Sequence, residues 1–257
     1  MSTQLKQEEW YEQWQLVEDN EFFLFRDWII PNTIEDFSGK DVLEAGCGGG
    51  QHTSFVAPVA KSLTSVDLNT VEIARKRNSR FDNIKFVESD IAVMDLGQQF
   101  DIVFSIGVVH HTDNPDATVL NLYRHVKPGG KLILWIYSAE GNELVAKLVE
   151  PARKAFFRYL SRPWLLAMSK CITALMYLPI YSIYLLPLSK LPFYEYFKNF
   201  RSMTFERNVL NVFDKLNAPQ TQFISRDRIA QWLVDCPHKQ ASVEKYVGVS
   251  WRVTIEK

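Results

Sequence analysis

Cysteine is scarce in this chain. Three occur in 257 residues, Cys47, Cys171 and Cys236, odd in number, far apart and with no C-x-x-C pair. That spacing excludes a disulfide framework and a zinc cage built on thiolates. A basic excess is missing as well. Lys and Arg total 29 against 30 Asp and Glu, a net charge of -1, whereas proteins that live on the phosphate backbone of nucleic acid usually carry surplus positive charge. The first ten residues, Met1 to Trp10, have no apolar core of the kind a secretory leader needs, and they read as the start of a chain working in a reducing cytosol. Internal repeats and low-complexity tracts are absent. What is there is ordinary for a globular protein, 47% apolar and 23% charged, which excludes intrinsic disorder. The length suits one full-sized domain with an insertion, or two small domains.

These averages conceal an internal shift. From Pro151 to Leu210 there are nine Lys/Arg against two acids, Glu195 and Glu206, so that segment is +7 and the remainder -8. It also holds five of the eleven prolines and six of the ten tyrosines, which marks it as a module inserted into an acidic domain. Ahead of it, Trp10, Trp14 and Val17, then Leu24, Phe25, Trp28 and Ile29, recur at helical spacing. After the punctuation of Pro31 and Ser38-Gly39, short apolar runs alternate with helical stretches. Residues 41–45, 63–67, 84–88, 100–106 and 131–137 read as strands. Asn69 with Glu72 has the form of a capping box opening one helix. Val119 to Val126 reads as another, ended by Lys127-Pro128-Gly129-Gly130. Ser225 caps a helix through Leu233, and 243–247 with 251–255 form a closing antiparallel hairpin. The pattern predicts an α/β fold with a doubly wound, mostly parallel seven-stranded sheet. The implied division is a helical cap over 1–38, a Rossmann-like domain over 39–138 and 225–257, and a helical insertion over 139–224.

Four of the eleven glycines fall together, Gly46, Gly48, Gly49 and Gly50, where the first strand hands over to a helix. Bare backbone there lets a ligand approach closely, and the helix start offers unpaired N–H groups. The spacing Glu44-x-Gly-x-Gly-x-Gly50 is neither the G-x-G-x-x-G of dinucleotide folds nor a P-loop, since no Lys-Ser or Lys-Thr follows. Asp67 ends the second strand, where doubly wound sheets present a carboxylate to ribose hydroxyls, and Asp90 closes the third with Ile91 beside it.

These residues resemble the class I S-adenosylmethionine-dependent methyltransferases, in the branch of small-molecule, ubiquinone-menaquinone-methylase-like enzymes. Glu44 to Gly50 is similar to the family's first motif, Asp67 to its second and Asp90-Ile91 to its third. Asp101 to Ser105 with His110 to Pro115 is similar to the fourth, and Arg124 to Gly130 to the turn before the fifth strand. The resemblance implies S-adenosylmethionine as cofactor, with Gly46, Cys47, Gly48 and Gly50 beneath it and Ser105 nearby. It further implies that Glu44 anchors the amino group, Asp67 accepts from the ribose hydroxyls and Asp90 reads the adenine amine, with Leu68 and Ile91 flanking the ring. An acceptor hydroxyl needs a base, and His110 and His111 are the nearest titratable candidates, alongside a packing role for either. The Asn/Asp-Pro-Pro-Tyr string of amino methylases is missing at Ser105-Ile-Gly-Val108, and so is the cysteine that cytosine C5 chemistry requires.

About ninety residues separate the fifth strand from the Ser225 helix, far beyond an ordinary connection. The apolar run Trp164 to Leu188 is long enough to span a membrane, but Lys170, Pro179 and Pro187 predict two or three short helices instead. The segment reads as a lid or homodimer contact, as a peripheral membrane element through 151–210, or as a nucleic-acid groove, the last disfavoured. The expected reaction is methyl transfer, on oxygen, to a small-molecule or lipid-linked acceptor. A tRNA-modifying methyltransferase and a non-catalytic cofactor sensor or partner subunit are the alternatives.

Overall fold

The computed structural model describes residues 3–16 and 21–257. Val17, expected on the first helical stripe, lies outside the described residues. Seven strands, β1 (Asp41–Ala45), β2 (Ser62–Asp67), β3 (Ile84–Glu88), β4 (Phe100–Ile106), β5 (Val126–Tyr137), β6 (Gln240–Tyr246) and β7 (Ser250–Glu256), form one sheet. Its order is β3-β2-β1-β4-β5-β7-β6. The first five pair in parallel, and β7 runs antiparallel to both β5 and β6. The chain therefore winds outward from β1 to β3, returns to β4 on the other side of β1, and leaves a crevice at the carboxyl ends where the direction of winding reverses.

The central strands are apolar because both faces of the sheet are covered. On one side α5 (Pro115–Arg124) and α10 (Arg226–Asp235) bury Leu122, Ile229 and Trp232 against Leu43, Val103 and Leu134. On the other, α2 (Phe22–Ile29) packs Leu24 and Phe25 with Val56, at the end of α3 (Gln51–Val56), over Val42, Phe104 and Ile133. Among the described residues the remaining α-helices are α1 (Thr3–Leu16), α4 (Val71–Arg77), α6 (Glu150–Ala155), α7 (Arg162–Ile180), α8 (Tyr194–Phe200) and α9 (Phe205–Asn217). Helices α7 and α9 share a small core of Leu165, Val212, Phe213 and Leu216.

Three local expectations are corrected. The helix after β2 opens at Val71 with Thr70 at its cap, not on an Asn69–Glu72 box, because the Thr70 hydroxyl donates to the carbonyl of Gly48 (2.7 Å) and ties the helix start to the glycine loop. Helix α5 begins at Pro115, earlier than the apolar pattern suggested. Asn114 caps it by accepting from the Ala117 N–H, and proline suits a first turn whose N–H groups have no helical partner. It ends at Arg124, and Val126 already pairs with Phe100, with Lys127 to Gly130 looping out before Lys131 rejoins opposite Ile102. The Trp164–Leu188 run is one long helix to Ile180 followed by a single 3-10 turn (Ile183–Leu185), not two or three short helices. Helix α7 continues through Lys170, whose side chain is exposed to water, and Pro179 falls in its last turn, one residue from the end.

Candidate active site

The glycine loop is shaped by what presses on it. Gly48 has φ +52°, and a Cβ there would lie 2.9 Å from the indole of Trp14, so the missing side chain lets α1 lie against the loop. Gly50 serves a different end. With φ +80° it opens α3, and a Cβ would meet the backbone of Ala74 in α4 at 2.8 Å. Asn78 closes that seam by donating to the Gly50 carbonyl (2.8 Å). The Gly48 N–H donates to Asp67 Oδ2 (2.8 Å), so the second strand's carboxylate holds the loop in its bend.

A cavity of about 540 Å³ occupies the crevice where the winding reverses. From the β1–β3 side it is lined by Gly46, Cys47, Gly48, Asp67, Leu68, Asp90 and Ile91, seven of the ten residues expected to bind the cofactor. From the β4–β5 side come His111, Trp135 and Tyr137. Helix α1 adds Trp10, Gln13 and Trp14, and α9 adds Arg207, Asn211 and Asp214. The two tryptophans of α1, whose spacing was equally consistent with simple core packing, thus face the crevice.

Glu44, Gly50, Ser105 and His110 do not line this cavity. Glu44 is 1% exposed and lies behind the loop, where one carboxyl oxygen accepts from the hydroxyls of Thr53 (2.5 Å) and Ser65 (2.9 Å). Its other oxygen is buried with no partner among the described residues. Burial pushes its carboxyl up to about 8, with the Asp67 charge adding to the effect against the two hydroxyl donors. Ser105 points its hydroxyl at the Ala45 carbonyl (2.7 Å) and stitches β4 to β1.

The adjacent histidines have separate environments. His110 is fully buried, its Nδ1 accepting from the Tyr137 N–H at 3.4 Å, and burial drives its imidazole well below the usual histidine range. His111 lines the cavity and directs Nδ1 at the carbonyl oxygen of Gln220, 2.8 Å away. A carbonyl can only accept, so Nδ1 carries the proton and the lone pair sits on Nε2. Burial lowers the His111 imidazole, while the Asp214 carboxylate and the Gln220 carbonyl pull it back up. Segment 220–222 is fastened onto this turn. Gln220 Nε2 donates to the His111 carbonyl (2.9 Å), and the Gln222 N–H donates to that of His110 (2.8 Å).

Sequence reasoning missed the lining from α9. Arg207, Asn211 and Asp214 follow an i, i+4, i+7 spacing, a polar stripe beside the apolar face of Val209, Val212, Phe213 and Leu216, and that stripe was the available signal. Asp214 accepts from the Tyr137 hydroxyl (3.1 Å) and from Gln13 Nε2 (3.2 Å), joining β5, α9 and α1 around the cavity. Burial raises the Tyr137 phenol well above its ordinary range, so it remains a donor.

An open α/β sheet with a glycine-bared first loop and carboxylates at successive strand ends defines a nucleoside-binding class I fold. Residues 43–134 match the family model of a methyltransferase domain. Residues 43–134 therefore carry a methyltransferase domain of the class I S-adenosylmethionine-dependent kind. It is 31% identical over 119 residues to the mitochondrial ubiquinone biosynthesis O-methyltransferase of Schizosaccharomyces pombe, covering 44% of this chain and 42% of that protein. Over 138 residues it is 30% identical to the tRNA U34 carboxymethyltransferase of Nautilia profundicola, covering 50% of this chain and 44% of that one. The matched stretch spans less than half the length of either relative. A solved O-methyltransferase family protein from Burkholderia thailandensis shares the fold, with a TM-score of 0.53 at 14% identity, covering 91% of this chain and 56% of that one.

Proposed function

We propose that this protein transfers the methyl group of S-adenosylmethionine to a hydroxyl of a small or lipid-linked acceptor, with His111 as the general base. The observation that carries the reading is the meeting of Gly46 to Gly48, Asp67, Asp90 and His111 in one cavity. The donor set fits the cofactor. Asp67 and Asp90 are acceptor-only groups suited to ribose hydroxyls and an adenine amine, and Leu68 and Ile91 give the ring apolar neighbours. Both carboxylates are already aimed, Asp67 by the Gly48 and Asn69 N–H groups (2.8 and 3.3 Å) and Asp90 by that of Ala92 (2.8 Å). Each still has lone pairs for a ligand. Bound there, S-adenosylmethionine supplies a methyl group already activated on a sulfonium.

The protein then has to orient the acceptor, exclude water and take one proton. His111 Nε2 receives the proton of the acceptor hydroxyl, and the Nδ1–H bond to Gln220 keeps the ring in the tautomer that can do so. The Asp214 carboxylate favours the imidazolium that results. Trp10 and Trp14 line the cavity from α1 and give it an apolar wall. Glu44 and Ser105 support the loop and the strands from behind, without touching either ligand. His110, buried beneath the turn, packs. A tRNA acceptor, the chemistry in the name of the Nautilia protein, is less well supported, because the whole chain carries no positive excess. The intact Asp67, Asp90 and His111 favour an enzyme over a sensor.

The test is release of S-adenosylhomocysteine on incubation with S-adenosylmethionine and a panel of phenolic and aliphatic alcohols, including lipid-tethered ones. Turnover with at least one alcohol is expected, and His111→Gln should cut it by about 10²–10⁴-fold. Turnover that survives His111→Gln within a few fold removes the base. Product from amine acceptors alone removes the oxygen chemistry.

A further inference from the structure

Helix α7 is apolar on both sides. Its inward face meets α9 through Leu165, Ser169 and Thr173, and the two hydroxyls bond back to their own helix, Ser169 to the Leu165 carbonyl (2.8 Å) and Thr173 to that of Ser169 (2.7 Å). The outward face presents Trp164, Leu175 and Leu178, at 70%, 65% and 70% exposure. The chain beyond it continues the theme with Ile183, Leu185 and Leu186, each more than half exposed. A surface helix in water keeps its outer face polar, and contiguous exposed apolar side chains mark a surface with a partner.

Charge identifies the partner. Between Pro151 and Tyr194 there is no Asp or Glu, while Lys170 on the outward side of α7 and Lys190 just past the apolar run are exposed. Apolar side chains intrude into a bilayer interface, the Trp164 indole suits its polar boundary, and lysines answer anionic headgroups. By length and composition α7 could cross a membrane. It is instead fastened along its inner face, by Leu165 to the Phe213 cluster of α9 and by Ile180 to the apolar cluster that covers the sheet, so lipid cannot surround it. Lying flat is the geometry left to it.

We propose that the outward face of α7, with residues 181–188, docks on the surface of an anionic lipid bilayer, which selects the lipid-linked class of acceptor. The acceptor half of this inference rests on the methyltransferase reading, and the docking half does not. The coupling is direct in the fold, because α9 packs on the inner face of α7 and carries Arg207, Asn211 and Asp214 into the cavity.

Co-sedimentation with vesicles of phosphatidylcholine and phosphatidylglycerol, against phosphatidylcholine alone, tests it on the full chain. Of the three cysteines Cys171 is the exposed one, and it lies on this face, so an environment-sensitive dye there reports contact. The protein should pellet with the anionic vesicles at low salt, the dye emission should shift to the blue, and both signals should fade at high salt. Lys170→Ala should weaken partitioning by about fivefold, the worth of one cation beside an anionic surface. Leu175→Glu with Leu178→Glu should abolish it while leaving cofactor affinity unchanged. Protein that stays in the supernatant at low salt overturns the proposal. So does a dimer in analytical ultracentrifugation that the double variant disperses with no vesicle binding, which makes the face a contact between copies. Calorimetric titration with S-adenosylmethionine on the same preparations separates the two readings. Cofactor binding without docking sinks the docking alone, and docking without cofactor binding sinks the methyltransferase reading alone.

Discussion

Replacing Glu44 by Gln should flatten the pH dependence of stability. In the folded protein burial moves this carboxyl from 4.5 to about 8. Between those values the native state keeps a proton that the unfolded chain has released, so stability falls as pH rises and does not recover above the window. At about 1.4 kcal/mol per pKa unit the full window is worth about 5 kcal/mol. Glutamine is neutral throughout, keeps an acceptor for the Thr53 and Ser65 hydroxyls, and sets an amide NH2 where Glu44 Oε1 has no partner among the described residues. The variant should match the native protein near the acid end of the window and exceed it by several kcal/mol near pH ~8. His110 and His111, held neutral by burial, slope the opposite way, stability rising with pH, and they cancel in the comparison. Urea denaturation across the window, with unchanged m-values, gives the difference directly. Parallel stability curves for the two proteins, or a variant less stable at every pH, would mean that the carboxyl is charged in the fold and that the burial argument is wrong.

Three further outcomes are expected. Gly50→Ala should lose about 3 kcal/mol in urea denaturation, because its Cβ must enter backbone at 2.8 Å from a left-handed φ of +80°. The acid limb of the pH–rate profile should lie below the ordinary histidine range, since the proposed base His111 must be neutral to act and burial lowers it. Asp214→Asn should push that limb further to acid, because the carboxylate raises His111.

The strands and the glycine bend were readable because they depend on short windows. Apolar runs such as Ile102 to Phe104 declare a strand covered on both faces, and Asp67 and Asp90 declare themselves as acids at strand ends. What failed depended on partners distant in the chain. Glu44 resembles a ligand-facing acid until α3 and β2 bring Thr53 and Ser65 against it. Gly50 is bare for the sake of Ala74, a contact between two helices. His110 and His111 are chemically identical neighbours, and only the return of segment 220–222 separates them. The α9 stripe of Arg207, Asn211 and Asp214 acquires meaning only when that helix folds back over the crevice. In α7, Lys170 and Pro179 look like breaks in the sequence, but an exposed lysine and a last-turn proline cost a helix little.

Isothermal titration of the native protein and of Asp67→Ala with S-adenosylmethionine tests the central claim most directly. The native chain should bind one equivalent, and the variant, having lost the proposed acceptor for two hydroxyls, should bind about 10²-fold or more weakly. Equal affinity in the two proteins, or no heat from the native one, would contradict the nucleoside site.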